Sequence, residues 1–347
     1  MNTLNPQNIP FQQILKSLLD NTTPFPPTYL HRFSDLSSVD LQSLKVVWPQ
    51  VSVNRRRALL EDLEEMGDAD YLLSFDDIAR FALKDEDHRV RALAIRLLWE
   101  NEDKKLAPVF INMMKNDPEP EVRSTAASAL GRFVYLGEVE EIPDSLLHEV
   151  EENLLAIYHS NDQASVRRRA LEALGYSGRS EVPELLRSAY QEADSGWLES
   201  ALFAMSRSAD DAWEGHILPM LSHTRPSVRL EAVRAAGELG LNSARDQLLE
   251  LLMEDEEEDD DVREAAIWSL SQIGGEQVRP FLERMLEETE DEDEAELLED
   301  ALDNLSFTED MNIFEMFDFD TDQPDEILEE DKGRKKELKD QKSKKEK

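Results

Sequence analysis

One short element recurs along this chain and limits what it can fold into. A Val-Arg pair is followed by Ala at the fourth position after the Val, and then by a small or apolar pair. It reads Val90-Arg91…Ala94…Leu97-Leu98, then Val122-Arg123…Ala126…Ala129-Leu130-Gly131, then Val166-Arg167…Ala170…Ala173-Leu174-Gly175. Val228-Arg229…Ala232…Ala235-Ala236-Gly237 and Val262-Arg263…Ala266…Leu270 follow, with a degenerate copy at Trp197-Leu198…Ala201…Ala204-Met205. Weaker copies begin at Asn54 and Leu297. Six of the seven intervals between starts are 31 to 36 residues, and the exception is 44, between Val122 and Val166. A period of this size means stacked supersecondary units, each too small to bury its apolar face alone.

Each unit reads as two helices. Small and apolar residues at offsets 0, 4 and 8 share one helical face. Ala at offset 4 permits close approach of a neighbouring helix. Asp117-Pro118 reads as an N-cap followed by Pro at the first helical position. Gly131, Gly175 and Gly240 read as helix ends. The long interval suggests an added loop at 137–145. Pro108-Val109-Phe110, Pro183-Glu184-Leu185 and Pro280-Phe281-Leu282 open the first helices of three units, and Asp246-Gln247-Leu248 holds the same place without Pro.

These residues resemble the HEAT repeat family, in its short form found in phycobilisome-lyase-type proteins, over 53–307. The resemblance implies an all-α, right-handed α-α superhelix (armadillo/HEAT-like solenoid) of seven to eight helix pairs, with the second helices lining a concave face. Residues 1–52 read as an N-terminal cap, broken by Pro24, Pro26 and Pro27 and then regaining an apolar helix from Leu36 to Trp48. Residues 308–347 read as a disordered tail. Its first part alternates acids with Ile313, Phe314, Met316, Phe317 and Phe319, and its end is Lys-rich.

Charge narrows the function. The chain carries 77 acids against 38 bases, a formal net charge of −39, which opposes a phosphate-binding surface and argues against a nucleic-acid partner. There is no Cys, which removes disulfides, thiolate metal sites and a Cys nucleophile. Without a secretory signal or an 18-residue apolar run, the expected location is the cytoplasm and no membrane role is expected. Two classes of enzyme built on related repeats have recognisable residue patterns. Di-iron deoxyhypusine hydroxylases carry His-Glu pairs on their second helices; the single His-Glu here, His148-Glu149, is out of register. HEAT-like DNA glycosylases use a cationic aromatic face. The Trp residues at 48, 99, 197, 213 and 268 read mostly as core instead. The His residues at 31, 88, 148, 159, 216 and 223 read as ordinary side chains. The spacing Asp318, Asp320, Asp322 and Glu329 touches a calcium-loop pattern but has Gln323 where the sharp turn needs Gly.

No catalytic residue, cofactor or metal is therefore expected. The leading expectation is a non-catalytic scaffold that engages a protein or peptide along the concave face; the alternative implied by the resemblance is a bilin lyase-like enzyme or enzyme subunit. Offsets 0 to 10 of the six central second helices hold eleven Arg and six Glu. Arg91, Arg123, Arg167, Arg229 and Arg263 are assigned to an inter-repeat ladder with turn carboxylates such as Asp87 and Asp162. Arg96, Arg132, Arg168, Arg169, Arg207 and Arg234 remain as partner-binding candidates, suited to carboxylate or phosphate groups. The acidic runs 254–261 and 287–296 read as solvated loops.

Overall fold

The structure is a computed structural model, and it describes residues 9–253 and 259–316, the last eight of these as backbone only. Every regular element among the described residues is helical. The chain divides into two compact units, Met1–Ala244 and Arg245–Lys347.

The first unit opens with α1 (Phe11–Leu19), a 3₁₀ turn (Pro27–Phe33) and α2 (Ser38–Val47). The helix α1 was missed in the sequence, where the region looked polar. Phe11, Ile14, Leu15 and Leu18 fall on one face at helical spacing and are all buried. Phe33 packs edge-on against Phe11 at 5.8 Å and is itself fully buried, so the prolines shape a turn that closes the end of the core. Helix pairs then alternate: α3 (Val53–Ala69), α4 (Asp76–Ala82), α5 (His88–Arg96), α6 (Leu106–Asn116), α7 (Pro120–Glu138), α8 (Asp144–Tyr158), α9 (Ala164–Leu174), α10 (Val182–Tyr190), α11 (Ser195–Arg207), the short α12 (Glu214–Ile217) extended by a 3₁₀ turn (Leu218–Ser222), and α13 (Pro226–Glu238). The second helices α3, α5, α7, α9, α11 and α13 pack consecutively on one another, and each first helix packs on the second helix of its pair. The second unit repeats the scheme with α14 (Arg245–Met253), α15 (Asp260–Ile273), α16 (Val278–Glu288) and α17 (Glu292–Met316).

The repeat register holds: Val90, Val122, Val166, Val228 and Val262 and the alanines at offset 4 are all fully buried. Several local readings change. Gly131 lies inside α7 and Gly175 has a right-handed φ of −56°. Neither is a left-handed cap; both are close approaches. A Cβ on Gly175 would stand 2.6 Å from the Ala204 carbonyl oxygen, and one on Gly131 would stand 3.3 Å from the Ala173 Cα. Of the three glycines read as helix ends, only Gly240 has a positive φ, +60°, expected of a cap. Pro120, not Pro118, occupies the first position of α7, because Asp117 closes α6 and turns the chain by accepting the Glu119 N–H. The extra residues between Val122 and Val166 lengthen α7 and α8 and leave only a short turn after Val139. The run 287–296 is largely helical: it ends α16 and supplies Glu292, Asp293 and Glu294 to the first turn of α17, where acids suit the helix dipole. Of the run 254–261, Asp259 caps α15 by accepting the Val262 N–H, and 254–258 lie outside the described residues. The helix α17 continues to Met316, past the boundary read at 307. The Phe317 to Lys347 segment, with the calcium-like spacing and the Lys-rich end, lies outside the described residues.

Candidate protein-binding groove on the second helices

Two sets of arginines sit on the second helices and do different things. The first set is a ladder at the turns. Arg57 binds Asp87 at 2.5 Å, Arg91 binds Asp117 at 2.8 Å and Arg123 binds Asp162 at 2.6 Å, each reaching from one unit into the turn of the next. In the second unit Arg263 binds Glu294 at 3.1 Å. Arg91 and Arg123 also donate to two backbone carbonyls of their own turn, at 2.9 and 3.1 Å. Each guanidinium therefore holds its own turn and the next unit's turn together, and its planar fork of donors suits it to that task. Arg57 drives the Asp87 carboxyl down to about 2, and Arg123 lowers Asp162 in the same direction. The ladder changes chemistry at the degenerate copy: Arg167 donates to the Tyr158 carbonyl at 2.9 Å and lies over the Trp197 ring at 5.2 Å. Arg229 donates to the His223 carbonyl at 2.8 Å.

The second set contains the six partner-binding candidates, and the structure separates them. Arg132, Arg169 and Arg207 line one cavity of about 650 Å³, between the ends of α5, α7, α9 and α11. Arg96 lines a neighbouring cavity of about 470 Å³, between α3, the α3–α4 turn and the end of α5. Arg168 lines neither; its guanidinium lies so close over Gly196 that a Cβ there would collide with it. Arg234 also lies outside both, 3.6 Å from Glu231 one turn back on its own helix. The cationic stripe read from the sequence is therefore neutralised over much of its length. Arg96 grips Glu64 with both Nε and a terminal nitrogen, at 2.6 and 2.7 Å. Arg132 pairs with Glu102, Arg169 with Glu172, and Arg207 with Glu238 at 3.1 Å.

The aromatic lining was not anticipated. Trp99, Tyr135, Tyr176 and Phe203 face the larger cavity beside the arginines. Arg132 lies over Tyr135 at 5.3 Å, Tyr135 meets Tyr176 edge-on at 5.7 Å, and Arg207 lies over Tyr176 at 5.7 Å and Phe203 at 4.9 Å. Cation and ring thus alternate across three helices. Burial raises the Tyr176 phenol. Trp99, one of five tryptophans read as mostly core, is 53% exposed and borders both cavities together with Glu100. The signal was present: Glu64, Glu100, Arg132, Tyr176, Arg207 and Glu238 all stand at offset 10 of their repeats. A rung of polar and aromatic residues at one offset marks a face that packing does not fill.

A stack of helix pairs with a second-helix ladder and a lined face defines an α-solenoid. A profile of HEAT repeats matches residues 77–148 and 216–303, so these two stretches carry HEAT repeats. No curated protein sequence matches it. Among solved structures it is similar to the Escherichia coli protein YibA (18% identity, covering 83% of this chain and 98% of that one, TM-score 0.41). It is also similar to the CpcE–CpcF complex of phycocyanin lyase from Nostoc (17%, 82% and 97%, 0.49) and to human deoxyhypusine hydroxylase (16%, 87% and 97%, 0.35).

Proposed function

We propose that this protein is a non-catalytic binding scaffold that holds a protein or peptide on the second-helix face of its first unit. One observation carries the reading. That face holds two cavities of about 470 and 650 Å³ that adjoin at Trp99 and Glu100, which line both, and this row of two cavities, the channel, follows α3, α5, α7, α9 and α11. At about 8–10 Å per helix spacing, the channel is long enough for an extended segment. Its lining favours a peptide: exposed rings and guanidiniums with spare donors, the mix that aromatic- and arginine-rich interface cores use. Of the six arginine candidates, Arg96, Arg132, Arg169 and Arg207 are assigned to the contact surface, and Arg168 and Arg234 to its border. Protein partners fit this face better than a polyanion, since the chain as a whole is strongly acidic.

The test is site-directed photocrosslinking in native lysate. A photoreactive phenylalanine analogue at Trp99 or Phe203 should give a discrete adduct of higher mass. The same analogue at Val109, exposed on the first helix α6, should not. Adducts from Val109 alone would assign binding to the outer helices and sink this reading.

A further inference from the structure

We infer that the channel reads the order of charge along its ligand: it takes an extended peptide with a basic stretch at the α3–α5 end and an aromatic side chain flanked by carboxylates at the α7–α11 end. The inference rests on the proposed peptide-binding role and adds the chemistry of the partner.

The two cavities differ in sign. The smaller is lined by Glu64, Asp68, Asp76 and Glu100 against a single cation, Arg96. The bidentate contact between Arg96 and Glu64 uses up that one positive charge. Asp68 and Glu100 then accept no hydrogen bond from any described residue, and the Trp99 and Tyr71 rings stand beside them. Tyr71 is 85% exposed. Unpaired carboxylates next to exposed ring faces suit a lysine or arginine side chain, which gains both the ion pair and the cation–π contact.

The larger cavity has the opposite balance, three arginines against Glu100 and Glu172. Glu172 is buried, bound by Arg169 and by the Ser200 hydroxyl at 2.7 Å, so its charge is spent inside the protein. Arg132 and Arg207 each meet only one carboxylate oxygen. A guanidinium has five N–H donors, so both retain donors for a ligand carboxylate. The rings of Tyr135, Tyr176 and Phe203 provide edges and faces for an aromatic side chain between those donors. A cation would be repelled here, because the ring faces already carry Arg132 and Arg207.

From α3 to α9 is three helix spacings, roughly 25–30 Å. An extended chain advances about 3.3 Å per residue, so the two blocks of the ligand stand about eight residues apart.

The experiment uses the full chain and fluorescein-labelled synthetic peptides followed by anisotropy. One peptide has a Phe-Asp-Phe-Asp block, a flexible spacer of six Gly and Ser residues and three lysines. A second has the blocks in reverse order, and a third has the same residues scrambled. One block order should bind at least tenfold more tightly than the scrambled peptide. Asp68→Asn with Glu100→Gln should remove the benefit of the lysines while leaving binding of an isolated Phe-Asp-Phe-Asp peptide unchanged. Arg207→Gln should weaken that isolated peptide about tenfold. Equal binding of block and scrambled peptides, with both lost on Arg207→Gln, would overturn the charge-order inference and leave the peptide-binding role standing. Peptides that bind wild type and all variants alike would refute both. A gain of more than tenfold on truncating after Met316 would overturn the assignment to an external partner, since the chain's own Phe317–Lys347 segment would then be the occupant.

Discussion

At the scale of single residues, the turn ladder ties neighbouring repeats together and the groove arginines are the set proposed for recognition, although both are Arg on the same helices. The difference is what lies opposite. Arg91 and Asp117 are both largely buried, so losing one leaves the other desolvated and unpaired. Arg91→Ala should cost about 2–3 kcal/mol, read from the first transition of urea unfolding. Asp87 provides a pH test. Its pKa is lowered from 3.8 to about 2 by the Arg57 hydrogen bond. A carboxyl depressed on folding contributes stability that is present above pH 3.8 and is lost as pH falls toward 2. The contribution is about 2 kcal/mol at about 1.4 kcal/mol per pH unit. NMR titration should place the wild-type carboxyl near pH 2, and Arg57→Gln should return it toward the ordinary range. Glu231 is the opposite case: burial raises its pKa, so its charged form is a cost at neutral pH that acid relieves. The identity of the ladder arginines was legible from the Val-Arg repeat. The pairing of Asp87 with Arg57, one unit earlier than Arg91, was not, because sequence order does not show which turn a side chain reaches.

At the scale of elements, the spacing of neighbouring second helices is set by residues without side chains. A methyl at Gly175 would meet backbone atoms of Ala204 on α11, at 2.6 Å from the oxygen and 2.8 Å from the Cα. Backbone cannot rotate away, so Gly175→Ala should cost about 1–3 kcal/mol by overpacking and push α9 from α11. At Gly131 the nearest atom is 3.3 Å away, and Gly131→Ala should cost clearly less. Gly240→Ala meets open space but sits at φ +60°, and its cost of about 1 kcal/mol is conformational. Thermal melts of the three variants should rank them in that order, Gly175 lowest. A helix boundary can be read from a glycine only when φ is known; at Gly131 and Gly175 the sequence motif was the same as at a cap, and packing gave it another use.

At the scale of the whole molecule, repeats transmit stability from neighbour to neighbour, so the ends matter. Leu298, Ala301 and Leu305 of α17 are fully buried. Removing everything after Met316 should leave the melting temperature nearly unchanged, while truncation before Leu298 should strip cover from α15 and lower it by many degrees. A net charge of −39 opposes compaction by self-repulsion. Raising NaCl from 10 to about 150 mM shortens the Debye length to about 8 Å and should raise the melting temperature, even though it also weakens exposed pairs such as Arg96–Glu64. A fall with salt would mean that the ion pairs outweigh the repulsion.

The sequence by itself determined the helix pairs, their register and the type of repeat, because a buried Val and Ala at fixed offsets recur wherever one helix face must pack. It also determined that arginine and acid would meet at the turns. What only the tertiary structure decided is which residues line the face proposed for binding. Trp99, Tyr135, Tyr176 and Phe203 come from four different repeats and more than a hundred residues of chain, and none stands out as a lining residue when read alone. Stacking brings them to one channel and leaves them unfilled. It also joins Arg96, Arg132 and Arg207 to glutamates of neighbouring repeats, a pairing that no local pattern encodes, since the energy that sets it is the packing of α3, α5, α7, α9, α11 and α13 on one another.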